Sequence, residues 1–175
     1  MTTELQMALE AGFTYAVAMD VTTLDLKQEV RHMCANGCHQ YNKRWSCPPG
    51  CGELTALRQL IQPYTKAILV QTVGQLEDAF DGEAMIETEQ QHKEQLLNLQ
   101  QELLKHHPKL LTLGAGCCTL CEECSYPDAP CRLPQKKIVP MEAYGLLVAD
   151  VCKQNGLRYG YGESTITYTS CFLLE

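Results

Sequence analysis

The sequence predicts an α+β fold, with a roughly four-stranded sheet covered by helices and two cysteine-rich loops. β-Branched and aromatic runs alternate along the chain with segments of helical periodicity, which indicates strands and helices packed in layers. The 175 residues fit a single domain, 1–175, that is long enough to bury a substantial core. Eight of the eleven cysteines fall in two compact groups without either periodicity, so we expect them in loops.

The first third of the chain is expected to form a strand and two helices. Residues 13–21 are rich in β-branched and aromatic side chains, as a strand requires. Thr22 and Asp25 resemble a capping box, which opens a short helix that runs into Cys34. Residues 53–62 carry apolar side chains at helical spacing and predict a second helix.

The middle of the chain predicts a central strand and a long helix. Residues 66–73 are nearly all apolar, as expected for a strand inside a sheet. Residues 83–107 carry an apolar stripe at helical spacing, but their middle, 87–95, is polar on every face and is expected to project into solvent. The histidines of this helix have no evident partner, and we expect them on its surface or at its C-terminal dipole: His92, His106 and His107.

The last third predicts two strands around one helix. Residues 110–113 form a third short strand, and residues 165–174 form the last one. Residues 141–154 have the spacing of an amphipathic helix, with Pro140 in its first turn and Gly156 at its C-terminal cap.

The strongest chemical signal lies between residues 114 and 131. Cys118, Cys121 and Cys124 are spaced C-x2-C-x2-C, and Cys131 follows after six residues. Three thiolates at this spacing can each bind a different iron of one [4Fe-4S] cluster, and a fourth thiolate completes it. Zinc is the alternative, although three ligands from one C-x2-C-x2-C are hard to wrap around a single tetrahedral ion.

A second group of cysteines has the spacing C-x3-C-x8-C-x3-C and consists of Cys34, Cys38, Cys47 and Cys51. Strong turn residues surround them, at 36–37 and 48–50, so this segment is expected to be a loop. The spacing predicts a second metal centre, either another iron–sulfur cluster or zinc. The eight cysteines can also be interleaved between two clusters, as in some ferredoxins.

The other three cysteines fit no metal-binding spacing. Cys152 on a predicted helix and Cys171 in the last strand are expected to be core residues. Cys117 adjoins Cys118 and could substitute for it, but two adjacent side chains seldom reach one centre well.

Three other side chains of the first cysteine segment have expected roles. His39 follows Cys38 and could bind a metal or carry a proton, but it is expected to be a solvated loop histidine. Tyr41 and Trp45 are expected to pack over a cluster and shield it from water, with packing on the protein surface alone as the alternative. We find no Ser-His-Asp or Cys-His arrangement that predicts a catalytic residue.

Charge and composition narrow the possible partners and compartment. The net charge of −7 and the absence of a basic patch argue against nucleic acid and favour a redox partner protein with a basic face. No apolar run approaches the ~20 residues that cross a bilayer, so no membrane association is expected.

The N-terminus does not resemble a secretory signal, which predicts a cytoplasmic protein. Thiols stay reduced there, so metal binding explains the cysteines better than disulfides do.

The two cysteine motifs also carry a family resemblance. One motif is Cys-x3-Cys followed by Tyr-x3-Trp-x-Cys-Pro-Pro-x-Cys, and the other is Gly-x-Gly-x-Cys-x2-Cys-x2-Cys-x6-Cys-Arg-x-Pro, with Met-Glu-Ala-Tyr-Gly after it. With them the sequence resembles, over most of its length, the predicted metal-binding proteins called domain of unknown function 2284. The resemblance implies metal binding through the family's eight cysteines, which match Cys34, Cys38, Cys47, Cys51, Cys118, Cys121, Cys124 and Cys131.

The sequence departs from the family's pattern at two places. Val139-Pro140 stands before Met-Glu-Ala where the family tends to have Pro-Ser, and Cys117 stands where the family commonly has proline. Neither departure removes a predicted ligand, but both lie near one centre.

The sequence therefore predicts a cytoplasmic protein with two [4Fe-4S] clusters that transfers electrons to a partner protein. One alternative is a zinc-structured module that binds another protein. Another is an iron–sulfur enzyme component whose cluster has an open iron site.

Overall fold

Five strands form one open, mixed sheet in the computed structural model, which describes residues 2–175. The sheet has the order β1-β2-β5-β3-β4. Only β3 and β4 run parallel, whereas the other neighbours are antiparallel. The strands are β1 Tyr15–Met19, β2 Lys66–Gln75, β3 Leu111–Gly114, β4 Val139–Pro140 and β5 Thr165–Leu174. The predicted α+β fold is confirmed, with one more strand than expected.

Five helices lie in the described part of the chain. They are α1 Thr2–Glu10, α2 Gln28–Gly37, α3 Leu54–Ile61, α4 Gly82–Leu104 and α5 Val148–Gln154. Two short 3₁₀ turns, Val21–Thr23 and Glu142–Tyr144, join elements. The helix α1 was not predicted, and α2 begins six residues later than the proposed capping box.

The sheet separates two apolar cores, because successive side chains of a strand point to opposite faces. Along β2, Ala67 and Leu69 face one core, and Ile68 and Val70 face the other. The first core is closed by α3, α5 and the turn before α5, and the second by α1 and α4. Helices therefore cover both faces of the sheet.

The prediction of a continuous helix over residues 141–154 was wrong. Gly145 has a left-handed backbone with φ of 77°, and a Cβ there would lie 2.7 Å from the Lys27 carbonyl oxygen. The chain therefore makes a 3₁₀ turn over Glu142–Tyr144 and resumes as α5 at Val148. This break places Ala143 against the end of the first cysteine segment.

The prediction that residues 87–95 project into solvent was also wrong. Thr88, His92 and Gln95 are buried against the sheet. His92 lies 2.8 Å from the Thr72 hydroxyl through Nδ1 and 2.7 Å from the Ser170 hydroxyl through Nε2. The polar residues of this segment thus form a buried network instead of a solvated face.

The network fixes the proton on His92. The Gln95 side-chain amide donates to the Gly12 carbonyl, so its oxygen accepts from the Thr72 hydroxyl at 2.6 Å. Because Thr72 has only one proton to donate, the neutral imidazole donates from Nδ1 and accepts at Nε2 from Ser170. Burial lowers the pKa of His92 from 6.5 to about 4.

Candidate metal centres

The two cysteine segments, residues 34–51 and 114–131, are far apart in sequence but pack directly against each other. The Arg44 guanidinium donates to the Cys118 carbonyl at 3.1 Å, and the Cys118 amide donates to the Ser46 hydroxyl at 3.3 Å. The Trp45 indole donates to the Ala129 carbonyl at 2.9 Å. Both backbone groups of Cys118 are therefore held by the first segment.

Aromatic and glycine residues bring these segments into close contact. Tyr126 packs edge-to-face on Trp45, with ring centroids 4.9 Å apart, and its hydroxyl donates to the Asn42 side chain at 2.6 Å. Gly50 lies beneath the same ring, where a Cβ would come within 2.8 Å of Tyr126. Only glycine leaves room for this approach.

All four cysteines of the second predicted group line one small cavity. Arg44, Arg132 and Lys137 line it too, with Trp45 at its wall. Arg132 is fixed by donating to the Glu123 carbonyl at 2.7 Å. Three cationic residues therefore share this cavity with Cys118, Cys121, Cys124 and Cys131.

Three cysteines of the first predicted group line a separate and larger cavity of about 790 Å³. Cys34 lies in the last turn of α2, and the Cys38 amide caps that helix by donating to the Cys34 carbonyl at 3.2 Å. Cys47 is buried, whereas Cys38 is exposed. The fourth sulfur on this cavity belongs to Cys117.

Cys51, the remaining cysteine of the first group, is not among the residues that line this cavity. Its thiol lies 3.7 Å from the Ala143 carbonyl and packs against the first core. The buried Arg31 side chain donates to the same Ala143 carbonyl at 2.8 Å and to the Gly52 carbonyl at 2.9 Å. These contacts attach Cys51 to the protein interior beside Ala143.

Burial changes the acidity of three thiols in the first group. It raises the pKa of Cys34 and Cys51, and raises that of Cys47 to about 11. The neighbouring thiols Cys117, Cys38 and Cys51 also raise the pKa of Cys47. Because metals bind thiolates, a cation entering this cavity must displace protons, and its affinity will rise with pH.

The two cavities are joined by a buried serine. Ser46 is 1% exposed, and its hydroxyl lies 3.8 Å from the Cys47 sulfur while accepting from the Cys118 amide. Cys117 and Cys118 are consecutive, yet they line different cavities. The sequence did not predict that Cys117 lines the first cavity. Cysteine spacing alone does not show that the first segment packs against the residues around Cys117.

The other predicted residues divide between the two cavities and the core. His39 and Tyr41 line the first cavity, and His39 is exposed as expected. Trp45 lines the second cavity, although it belongs to the first segment. Cys152 and Cys171 are fully buried, as expected for core residues.

A family model matches residues 17–174, which include both cysteine segments, and its description is predicted metal-binding protein (DUF2284). The chain belongs to this family. The resemblance inferred from the sequence is thereby confirmed, and metal binding is the function that the family description gives. No curated protein and no solved structure matches the chain.

The donor chemistry of this DUF2284 chain fits thiolate-bound metal at both cavities. Four sulfurs and three cations on one cavity suit an anionic centre, because the cations offset the charge of the thiolates. Within residues 2–175, no three Cys, His, Asp or Glu side chains converge closely enough to hold a single ion.

No helix within residues 2–175 is both long and apolar enough to cross a membrane.

Proposed function

We propose that the chain holds two [4Fe-4S] clusters and transfers electrons to a partner protein in the cytoplasm. The observation that carries this proposal is the second cavity, where four thiols from one segment share a wall with three cations. An iron–sulfur cluster supplies one-electron transfer at a potential that the protein tunes through charge, hydrogen bonds and burial. The ligands proposed at this second centre are Cys118, Cys121, Cys124 and Cys131.

The residues around the second centre have separate tasks in this proposal. Arg44 and Ser46 hold the backbone of Cys118 and so orient its sulfur. The positive charges of Arg132 and Lys137 favour the more negative, reduced state and raise the reduction potential. Trp45 covers the cavity wall and keeps water from the sulfurs.

The first centre belongs to the other cavity, and the spacing of the sequence assigns it Cys34, Cys38, Cys47 and Cys51. Ser46 lies between this centre and the second one, in contact with a cysteine of each. In this proposal an electron enters at one centre and leaves from the other. The acidic second segment offers a docking face for a basic partner, since Glu122, Glu123 and Asp128 are all exposed.

The proposal is tested by replacing one ligand of the second centre. Anaerobically purified wild-type protein should contain iron and acid-labile sulfide and should absorb near 400 nm. Cys121→Ala should lose iron from one of the two centres, while Cys152→Ala, a buried cysteine outside both cavities, should keep the wild-type content. Equal metal content in all three proteins would contradict the assignment.

A second candidate function is an iron–sulfur enzyme component with an open iron site. It is favoured by the first cavity, whose volume of about 790 Å³ leaves room for a small molecule. With only Cys34, Cys38 and Cys47 as ligands, a cluster held there would keep one iron without a protein ligand. This candidate predicts that a small anionic ligand such as cyanide changes the electron paramagnetic resonance (EPR) signal of the first centre.

A further inference from the structure

We infer that Cys117 is a ligand of the first centre and takes the place that the sequence spacing assigns to Cys51. The ligand set of that centre is then Cys34, Cys38, Cys47 and Cys117. The identity of the metal rests on the proposed function, but the choice of side chains rests on the geometry alone.

The lining of the first cavity distinguishes Cys117 from Cys51 as the fourth ligand. Cys117 lines this cavity together with the other three thiols, and its neighbour Gly116 lines it too. Cys51 instead directs its sulfur at the Ala143 carbonyl, outside the lining.

The backbone before Cys117 explains why its side chain reaches this cavity. Gly114 ends β3 in tight contact, since a Cβ there would lie 2.5 Å from an Ile138 methyl carbon. Gly116 then has a left-handed backbone with φ of 69°, which turns the chain out of the sheet. After that turn, Cys117 lines the first cavity and Cys118 lines the second.

Cys51 has a role that requires no metal. Its amide donates to the Cys47 carbonyl at 3.1 Å, a backbone hydrogen bond within the same turn. Its sulfur packs beside Arg31, whose two hydrogen bonds fasten the end of the loop to the 3₁₀ turn. Cys51 therefore closes the loop against the core.

This ligand set makes the two centres neighbours along the backbone. A single peptide bond joins Cys117 of one centre to Cys118 of the other, and the Ser46 hydroxyl provides a second contact. Two centres linked in this way should interact magnetically when both are reduced. We therefore expect a split or broadened EPR spectrum from the fully reduced wild-type protein.

The test compares Cys117→Ala and Cys51→Ala with wild type and with Cys152→Ala, all purified without oxygen. Metal per chain, sulfide per chain and the EPR spectrum are measured, with circular dichroism as the check on folding. We expect Cys117→Ala to lose metal from one centre and to lose the magnetic interaction. Cys51→Ala should keep the wild-type metal content and spectrum.

Loss of one centre in Cys51→Ala, or full metal content in Cys117→Ala, would overturn the inference. The metal content of Cys51→Ala shows whether Cys51 is a ligand even if Cys117→Ala does not fold. The metal count also separates this inference from the proposed function. If the wild-type protein contains zinc and Cys117→Ala loses one ion, the iron–sulfur proposal fails while Cys117 remains a ligand.

Discussion

Lys137 offers the cleanest test of electrostatic tuning at a single residue. It lines the second cavity, whereas the adjacent Lys136 does not and is exposed. Removing a positive charge disfavours the more negative, reduced centre, so Lys137→Gln should lower one reduction potential by roughly tens of millivolts. Potentiometric EPR titration measures this, with Lys136→Gln as the matched control. Equal potentials in the two variants would contradict the proposed position of the second centre.

His92 makes a prediction about stability and pH. Its pKa is about 4 in the folded protein and about 6.5 when unfolded, so between these values the unfolded chain binds more protons. The free energy of unfolding should therefore fall as the pH is lowered through this window, by up to about 3 kcal/mol. Urea unfolding of wild type and His92→Gln from pH 7 to pH 4 measures it.

The His92→Gln variant isolates this contribution from that of the carboxylates, which titrate in both proteins. The stability difference between the two proteins should shrink steadily below about pH 6.5. A difference that stays constant with pH would show that His92 is not held neutral in the folded state.

At the residue scale, the sequence predicted which cysteines lie together within a segment better than it predicted how the two segments pack. The C-x2-C-x2-C spacing grouped Cys118, Cys121 and Cys124, and the structure places them on one cavity with Cys131. The cavity that Cys117 lines could not be predicted from cysteine spacing, because it depends on packing between segments about seventy residues apart. His92 could not be placed either, since its partners Thr72 and Ser170 lie on two distant strands.

At the scale of elements, α4 packs on β2 through a glycine. A Cβ at Gly74 would lie 2.0 Å from the Thr88 hydroxyl oxygen, so Gly74→Ala forces strand and helix apart. We expect a loss of about 1–3 kcal/mol in the free energy of unfolding. Gly82→Ala, where a Cβ would meet nothing within 4 Å, should be nearly neutral. Denaturant unfolding compares them.

A double variant checks the physical reason. Thr88→Ala removes the hydroxyl that a Cβ at Gly74 would strike, so Gly74→Ala should cost less in the Thr88→Ala background. Additive losses would show that the cost arises elsewhere in the sheet.

The elements that the sequence predicted best are those with a long, regular pattern. The mostly apolar run of β2 and the apolar stripe of α4 were enough to identify each element. The break at Gly145 and the two-residue strand β4 were missed, since each depends on a close tertiary contact instead of periodicity. The buried polar side of α4 was missed because its partners come from the sheet.

At the scale of the whole molecule, the acidic surface predicts how a partner docks. The net charge is −7, and exposed Glu122 and Glu123 lie in the second cysteine segment. We expect electron transfer to a basic c-type cytochrome, used as a probe, to slow as ionic strength rises. Charge reversal at both residues, Glu122→Lys with Glu123→Lys, should slow it further at low salt.

The matched control reverses two exposed glutamates on α4, Glu83 and Glu87, which lie outside the cysteine segments. This control changes the net charge of the protein by the same amount. It therefore distinguishes an effect of a local docking face from an effect of the protein's total charge. Equal slowing by both pairs would contradict docking at the second cysteine segment.

The central claim is that both cysteine cavities hold iron–sulfur clusters. It is tested most directly by iron, zinc and sulfide analysis of anaerobically purified protein, together with EPR after reduction. We expect about eight iron and eight sulfide per chain and signals from two interacting [4Fe-4S] centres. A colourless protein that contains stoichiometric zinc and no iron would contradict the claim.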